Sequence, residues 1–580
     1  MPFLLAAVAL PPASAAPVPA GPAPKQLAEL PVAADSMVVL HLNGLDRTRE
    51  RLTKMLAGID AEMAKKAAKQ LDELITSTLD GRDIKSVSGT GRLFLAVGDV
   101  AQLQADEAPV ALSIPVPDYA AFRQKFLTGP ERKSFERGKD GVDQFELAGA
   151  ERSMYLVSTD GYVVATFNKA MAEKYAGKFD KLTVKKLGAA ADGFLGADLS
   201  VFLNLEMVNE KYGMEIKQGR ALIGLLLQQG GMGFDKQQLA TAKAFLESLF
   251  QLVEDGRGMV LGIDLRPEGA ALRLDGRFDP DSETGKLAAK EKPTALVDLG
   301  DLPKGMMMYT ATKWGLNFGK FLPEYVASPG DDKSEEAIEA YAKLVADNGT
   351  DSVSVSPGLQ STLNLRTTKD ANAASDGLLK VMKRMQEGAS YSNVLLKGKP
   401  EVTEAAQKAH GFSLHHALVK LDFEATAEKI GNEVQKEAAL ASMKRLSPEK
   451  VNLWFGSDGK RFVTVTARNW DEAKKLLDGV VEKKAKVSDD PAFASVRKQL
   501  APYASSITLF DAAKGLTFLA EYAEGLGGVL PLPVDFPKIA KLEGDTAYIG
   551  FAIGLKEDAA RLDLFVPGEA VKLLMKAIKE

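Results

Sequence analysis

Hydrophobic positions in this chain fall into two rhythms. Short apolar or alternating blocks have the period of β-strands: MVVLHL (37–42), LFLAV (93–97), VALSIPV (110–116), VDQFELA (142–148), SMYLVS (153–158) and YVVATF (162–167). MVVLHL is apolar on both faces, which predicts a central strand. Elsewhere the period lengthens. Over 46–79, Leu52, Met55, Leu56, Ile59 and Met63 recur at three- and four-residue spacings, predicting one long helix with a single apolar stripe. Asp118 after Pro117 predicts the N-cap of a helix through Leu127. Asp160-Gly161 supplies the positive φ angles of a tight hairpin turn. A strand at 199–204, Gly-interrupted helical sequence over 206–254 and two long strands at 258–266 and 270–278 complete this stretch.

The rest of the chain repeats the order. Strand 306–312 precedes helical sequence at 316–347, strands near 352–355 and 360–366, and a helix at 370–386. Strand 413–421 and an extra helix at 424–446 follow. Then come hairpin 452–467, helix 470–478, strand 505–510, hairpin 546–566 and a last helix at 568–579. Three pairs of segments match in the same order. Leu30-Pro31 and Leu302-Pro303 each open a strand. MYLVSTDGYVVATF (154–167) resembles NLWFGSDGKRFVTVTA (452–467). GIDLRPEGAALRLDGRF (262–278) resembles FAIGLKEDAARLDLFVP (551–567). Self-similarity at one long period points to duplication. The fold expected is α+β: two similar lobes from an internal duplication, each with a largely antiparallel sheet and packed helices. The divisions are 1–15, 16–29, 30–280, 281–301 and 302–580, the fourth a charged connector.

The N-terminus is different material. FLLAAVAL (3–10) is a short apolar run ending at Pro11-Pro12, followed by Ala13-Ser14-Ala15, a small-x-small pattern suited to signal peptidase. Residues 1–15 read as a signal peptide and 16–29 as an Ala/Pro-rich linker. The pattern lacks a basic start: no Lys or Arg precedes Lys25. The expectation is export to a bacterial periplasm or beyond the cell. No apolar run reaches membrane length, so no transmembrane span is expected in the mature chain. With no cysteine, disulfides, thiolate catalysis and cysteine-ligated metal are excluded. A net charge of −5 gives no basic footprint for nucleic acid.

Chemistry-bearing residues are sparse. The four histidines are His41, His410, His415 and His416. His41 sits within an apolar strand and reads as a satisfied core or edge histidine. His415 and His416 are adjacent in a strand, so their rings point to opposite faces. With His410, Asp422 and Glu424 they form the weak alternative of a metal site, at no known zinc spacing. No cofactor is called for. The chain has no nucleophile elbow, no H-E-x-x-H and no phosphate-binding G-x-x-x-x-G-K-[ST] motif. Asp275 and Asp563, after Arg273 and Arg561 in matching strands, read as solvated or ion-paired sheet positions. Charges on 46–79 such as Lys65, Lys66, Lys69, Asp72 and Glu73 read as a solvated helix face.

One feature recurs in both halves. ALIGLLLQQGGMGF (221–234) and GLGGVLPLPVDF (525–536) are apolar and broken by Gly or Pro, which predicts irregular loops. Such a loop must cover a core, line a pocket, or meet a partner. The candidate ligand-binding residues are Leu225, Leu226, Leu227, Met232 and Phe234 in the first, and Leu526, Val529, Leu530, Leu532 and Phe536 in the second.

The Ala/Pro leader, MVVLHLNGL, ALSIPVPDYAAFRQKFL and YLVSTDGYVVATFNKAMAEKY together resemble a class of exported bacterial proteins of unknown function, of the planctomycete, DUF3352-like kind. The resemblance implies export and repeated hairpin units, and carries no catalytic residues. The leading reading is a non-catalytic binding or envelope-associated protein whose partner is an apolar small molecule or an envelope protein. The alternatives are a metal-dependent hydrolase using His410, His415 and His416, and a self-assembling envelope scaffold.

Overall fold

The computed structural model describes residues 28–79, 82, 86–147, 152–228, 236–314, 350–391, 394–429, 433–517 and 546–579. They divide into two compact units. The first takes the chain to Ile216, then Leu252–Ser282 and Ala559–Arg561; the second takes Lys217–Gln251, Glu283–Asp558 and Leu562–Glu580. The units are α+β, and their main sheets are antiparallel. Among the described residues no helix is long and apolar enough to cross a membrane.

In the first unit β1 (Glu29–Ala33) pairs with β8 (Lys181–Thr183). The main sheet is built from β2 (Val38–Leu42), β3 (Leu93–Val97), β4 (Val110–Pro115), β5 (Val142–Glu146), β6 (Ser153–Thr159), β7 (Tyr162–Thr166), β9 (Leu199–Leu203), β10 (Gly256–Arg266) and β11 (Gly269–Phe278). Its order is β5-β6-β7-β4-β3-β2-β9-β10-β11, every neighbour antiparallel. β2 lies between β3 and β9, the central place that its two apolar faces predict. The turn joining β6 to β7 has Asp160 at φ 48° and Gly161 at φ 78°, as Asp-Gly requires.

Two helices, α1 (Leu45–Ile59) and α2 (Ala61–Leu79), stand where the periodicity predicts one. The break is at Asp60, extended at φ −155° and ψ 123°. Its carboxylate accepts from the backbone N–H groups of Glu62 and Met63 at 2.8 and 2.9 Å, so a local cap outcompetes helix continuation. Lys65 and Lys69 on α2 are exposed, paired with Glu62 and Glu73. α3 (Tyr119–Phe126) begins at Asp118, whose side chain accepts from Ala120 and Ala121 N–H.

Strand alternation sends alternate residues to two cores. One face carries Val39, Phe94, Ala96, Ala111, Val164, Phe202 and Val260. It is covered by β1, by α4 (Lys169–Ala176) and by Phe194 of α5 (Ala191–Gly196). The opposite face buries Leu42, Leu93, Ile114, Leu156 and Val163 against Phe122 and Phe126 of α3. After β9 come α6 (Leu205–Gln228) and α7 (Lys236–Glu254). The broken loop expected over 221–234 is therefore helix as far as Gln228. Added Cβ atoms at Gly213, Gly219 and Gly224 would meet nothing within 4 Å, so these glycines lower helix propensity without interrupting the helix.

The second unit holds β12 (Met308–Trp314), β13 (Thr350–Gly358), β14 (Ser361–Thr367), β15 (Ser390–Tyr391), β16 (Val394–Leu396), β17 (Glu401–Ala409), β18 (Phe412–Asp422), β19 (Lys450–Ser457), β20 (Arg461–Ala467), β21 (Ser506–Asp511) and β22 (Tyr548–Lys556). Their order is β17-β18-β19-β20-β14-β13-β12-β21-β22, again antiparallel. β15 and β16 form a small hairpin paired with the end of β18. β23 (Ala559–Pro567) follows β22 through a turn with Glu557 at φ 57°. α8 (Ala371–Arg384), N-capped by Asp370, buries Ala374, Leu378 and Met382 against Val419, Leu453, Phe455 and Phe462. α9 (Glu433–Leu446) lies between β18 and β19, and α10 (Trp470–Glu482) follows β20. α11 (Pro491–Gln499) precedes β21, and α12 (Gly568–Lys579) ends the chain.

Asp275 and Asp563 are each only 7% exposed, which rules out the solvated alternative of the sequence reading and leaves the ion-paired one. The predicted helices over 316–347 fall outside the described residues.

Candidate functional site

The described part of the apolar stretch at 221–234 lies on α6. Leu225, Leu226 and Leu227 occupy its last turns. Met232, Phe234, Leu526, Val529, Leu530, Leu532 and Phe536 lie outside the described residues. α6 and α7 run antiparallel. Near one end, Asn209 Nδ2 donates to the carbonyls of Val253 and Glu254 at 2.8 and 3.2 Å. Further along, Arg220 Nε donates to Glu247 Oε2 at 2.6 Å. In the second unit an open groove of about 410 Å³ lies between the helices, lined by Lys217, Arg220, Ala221, Gly224, Leu225, Lys243 and Glu247. Gly224 and Ala221 supply room, Leu225 an apolar wall, and the lysines a cationic rim.

These helices leave large apolar side chains in water. In the second unit Leu222 is 57% exposed, Leu225 51% and Leu249 42%. Covering a leucine fully contributes about 1.5–3 kcal/mol. An occupant of this surface thus has several kcal/mol to gain, before the entropy it loses on binding.

The structure does not bring the three C-terminal histidines together. His410 Nε2 lies 2.7 Å from Asp478 Oδ1, and Lys474 Nζ holds the other carboxylate oxygen at 2.7 Å. His415 Nδ1 accepts from the N–H of Ala405 at 3.2 Å, which leaves the ring proton on Nε2. Burial lowers the His415 pKa, against the raising field of Glu404. His416 Nε2 donates to Asn452 Oδ1 at 3.0 Å and its ring stacks on Trp454. His415 faces Phe455 and His416 faces Trp454 across β18 and β19, so the two rings take opposite faces. Among the described residues no group of three or more His, Asp or Glu could hold a metal ion.

A polar centre that the sequence reading missed lies in the first unit. Asp198, fully buried, accepts from Arg47 Nε at 3.1 Å, from Arg51 Nη1 at 3.2 Å and from the N–H of Leu265 at 2.8 Å. Arg51 also reaches Asp264 at 2.6 Å. Asn43 Nδ2 donates to the carbonyls of Leu195 and Gly196 at 3.2 and 3.4 Å. Beside it lie His41, 1% exposed, and Arg92. Burial first, then the positive field of Arg92, push the His41 pKa down to about 3. The i,i+4 spacing of Arg47 and Arg51 on a helix following an apolar strand was the available signal. Their common partner, Asp198, is far away in sequence and could not be read.

No family model matches the chain, and neither the curated proteins nor the solved structures contain a match.

Proposed function

We propose that the chain is an exported, non-catalytic binding protein that takes up an apolar ligand along the α6–α7 hairpin. The observation that carries this reading is the exposure of Leu222, Leu225 and Leu249 on two helices that flank an open groove. Scattered single leucines on a surface need no explanation. A group of them on one helical hairpin beside a groove does. The N-terminal apolar run and small-x-small site support export. Titration with a fluorescent apolar probe tests the reading. The protein is expected to bind it, and a Leu222→Ser/Leu225→Ser variant with unchanged helix content is expected to lose most of the signal. Equal binding by both proteins would refute the site.

We also infer that the two units descend from one duplicated ancestor. The strand order supports this. Counted along the chain, β2, β3, β4, β5, β6, β7, β9 and β10 take the same sheet positions as β12, β13, β14, β18, β19, β20, β21 and β22. The backbone bonds at the edges of these strands repeat as well. Met37 N–H donates to Val97 O as Met307 N–H does to Ser356 O; Asn204 N–H donates to Met37 O as Asp511 N–H does to Met307 O. Asn43 N–H donates to Asp198 O as Lys313 N–H does to Ser505 O.

A further inference from the structure

His41 and Arg92 stand in an arrangement that the fold does not require. Register puts His41 opposite Phe94 on β3 and opposite Ser200 on β9. One step beyond the last β2–β3 pair, Arg92 Nε meets Asn43 Oδ1 at 3.4 Å. Residues paired across strands share a face, so His41, Asn43, Phe94 and Arg92 project to the same side of the sheet. Tyr162 is on that side too: its ring lies 6.3 Å from Phe94, and its hydroxyl feels the charge of Arg92.

The hydrogen bonds fix the histidine tautomer. Ser200 Oγ has one proton and gives it to the carbonyl of Phe194 at 2.7 Å. At 3.1 Å from His41 Nδ1 it must therefore accept, so Nδ1 carries the ring proton. Nε2 is then a bare acceptor. It is buried, and no described residue donates to it. A buried acceptor left without a donor is costly. Arg92 adds the complementary need. It is half-buried, and among the described residues it has no carboxylate partner; its one polar contact is the long bond to Asn43. The neighbouring cations, Arg47 and Arg51, are already engaged with Asp198. One side chain lacks a donor and the next lacks an anion.

The second unit shows what the same strand positions hold when nothing is asked of them. By register, His41, Asn43, Arg92, Asp198 and Ser200 correspond to Ala311, Lys313, Asp351, Ser505 and Ile507. Lys313 and Asp351 neutralise one another at 3.0 Å. Ala311 and Ile507 pack as apolar neighbours, both buried. At this place the second unit has no unbalanced guanidinium, although Ser505 Oγ is buried without a hydrogen-bond partner.

We propose that His41 and Arg92 form a binding site for a protonated oxyanion, inorganic phosphate or a phosphate monoester. An anionic oxygen sits on the Arg92 guanidinium, and the P–OH group donates to His41 Nε2. Arg92, half-buried, holds the anionic oxygen, and His41, buried, reads the proton. This site is separate from the apolar groove and does not rest on it.

Calorimetric titration of the full chain with inorganic phosphate, and with sulfate at equal ionic strength, tests the proposal. Near neutral pH phosphate keeps a hydroxyl and sulfate does not. Phosphate is expected to bind, and sulfate to bind about tenfold more weakly or worse, the worth of one hydrogen bond in a buried site. Arg92→Gln is expected to weaken phosphate binding by about tenfold or more. Lys313→Gln, at the corresponding place in the second unit, is expected to leave it unchanged. His41→Phe, which fills the same volume, is expected to abolish the preference for phosphate over sulfate. It supplies the test if Arg92→Gln does not fold. Absence of phosphate binding by the folded chain overturns the proposal. So does equal binding of both anions with no effect of Arg92→Gln, which would mark an adventitious ion only.

Discussion

His41 limits how far the first unit tolerates acid. Its folded pKa, about 3, lies below the ordinary value of 6.5 because burial and then the field of Arg92 oppose a charge on the ring. Between those two pH values the unfolded chain takes up a proton that the folded chain refuses. The stability due to neutral His41 is complete above about pH 6.5 and is lost as pH falls toward 3, at about 1.4 kcal/mol per unit. Between pH 7 and pH 5 the first unit is expected to lose about 2 kcal/mol that a His41→Phe variant retains, read by denaturant unfolding at both pH values. If the two proteins lose the same amount, His41 is not buried neutral. Asp198 is held by Arg47 and Arg51. Asp198→Asn leaves two guanidinium groups facing a neutral amide. Because both arginines are partly exposed, the expected destabilisation is about 2–3 kcal/mol, at the low end for breaking a buried pair. That a lone histidine in MVVLHL would be buried was readable from its flanking residues. That its second nitrogen would lack a donor was not, because Ser200, Phe194 and Arg92 come from three other segments.

Elements were legible where local chemistry agreed with packing. The hairpin turn at Asp160-Gly161, the cap at Asp118 and the apolar alternation of β6 and β7 all point to the structure found. β17 was missed for a physical reason. Its sequence, EVTEAAQKA, has one large apolar residue, Val402; the strand pairs with β18 and buries little. Its register shifts between Thr403 and Gln407, with Ala405 at φ 44°, and a bulge and charges of this kind discourage further pairing. Glycine was over-read in α6, where open space about each residue lets the helix continue. Gly224→Ala is accordingly expected to stabilise α6 by about 0.5–1 kcal/mol in thermal unfolding, while narrowing the groove. Gly456 in β19 is the contrary case. A Cβ there would come within 2.0 Å of the Ser413 carbonyl oxygen, so Gly456→Ala is expected to cost about 2 kcal/mol or more. A stable Gly456→Ala protein would show that the β18–β19 approach is looser than described.

For the whole molecule, the repeat along the chain was the strongest signal in the sequence; what the structure shows is two α+β units with antiparallel sheets. The segments that match best, 154–167 with 452–467, are β-hairpins occupying the same place in each sheet. Function was less legible because the two units differ in side chains at matching strand positions: Arg92 against Asp351, His41 against Ala311. On this account the sheets are shared scaffold, and the specific features are added to it, an apolar helical hairpin and a polar centre. The measurement that tests the central claim most directly is native mass spectrometry of the protein purified from its own cells, with lipid extraction of the same sample. The account predicts a bound apolar molecule, present in the wild-type protein and absent from the folded Leu222→Ser/Leu225→Ser variant. A ligand-free mass for the wild type, or the same bound mass in both proteins, would contradict it.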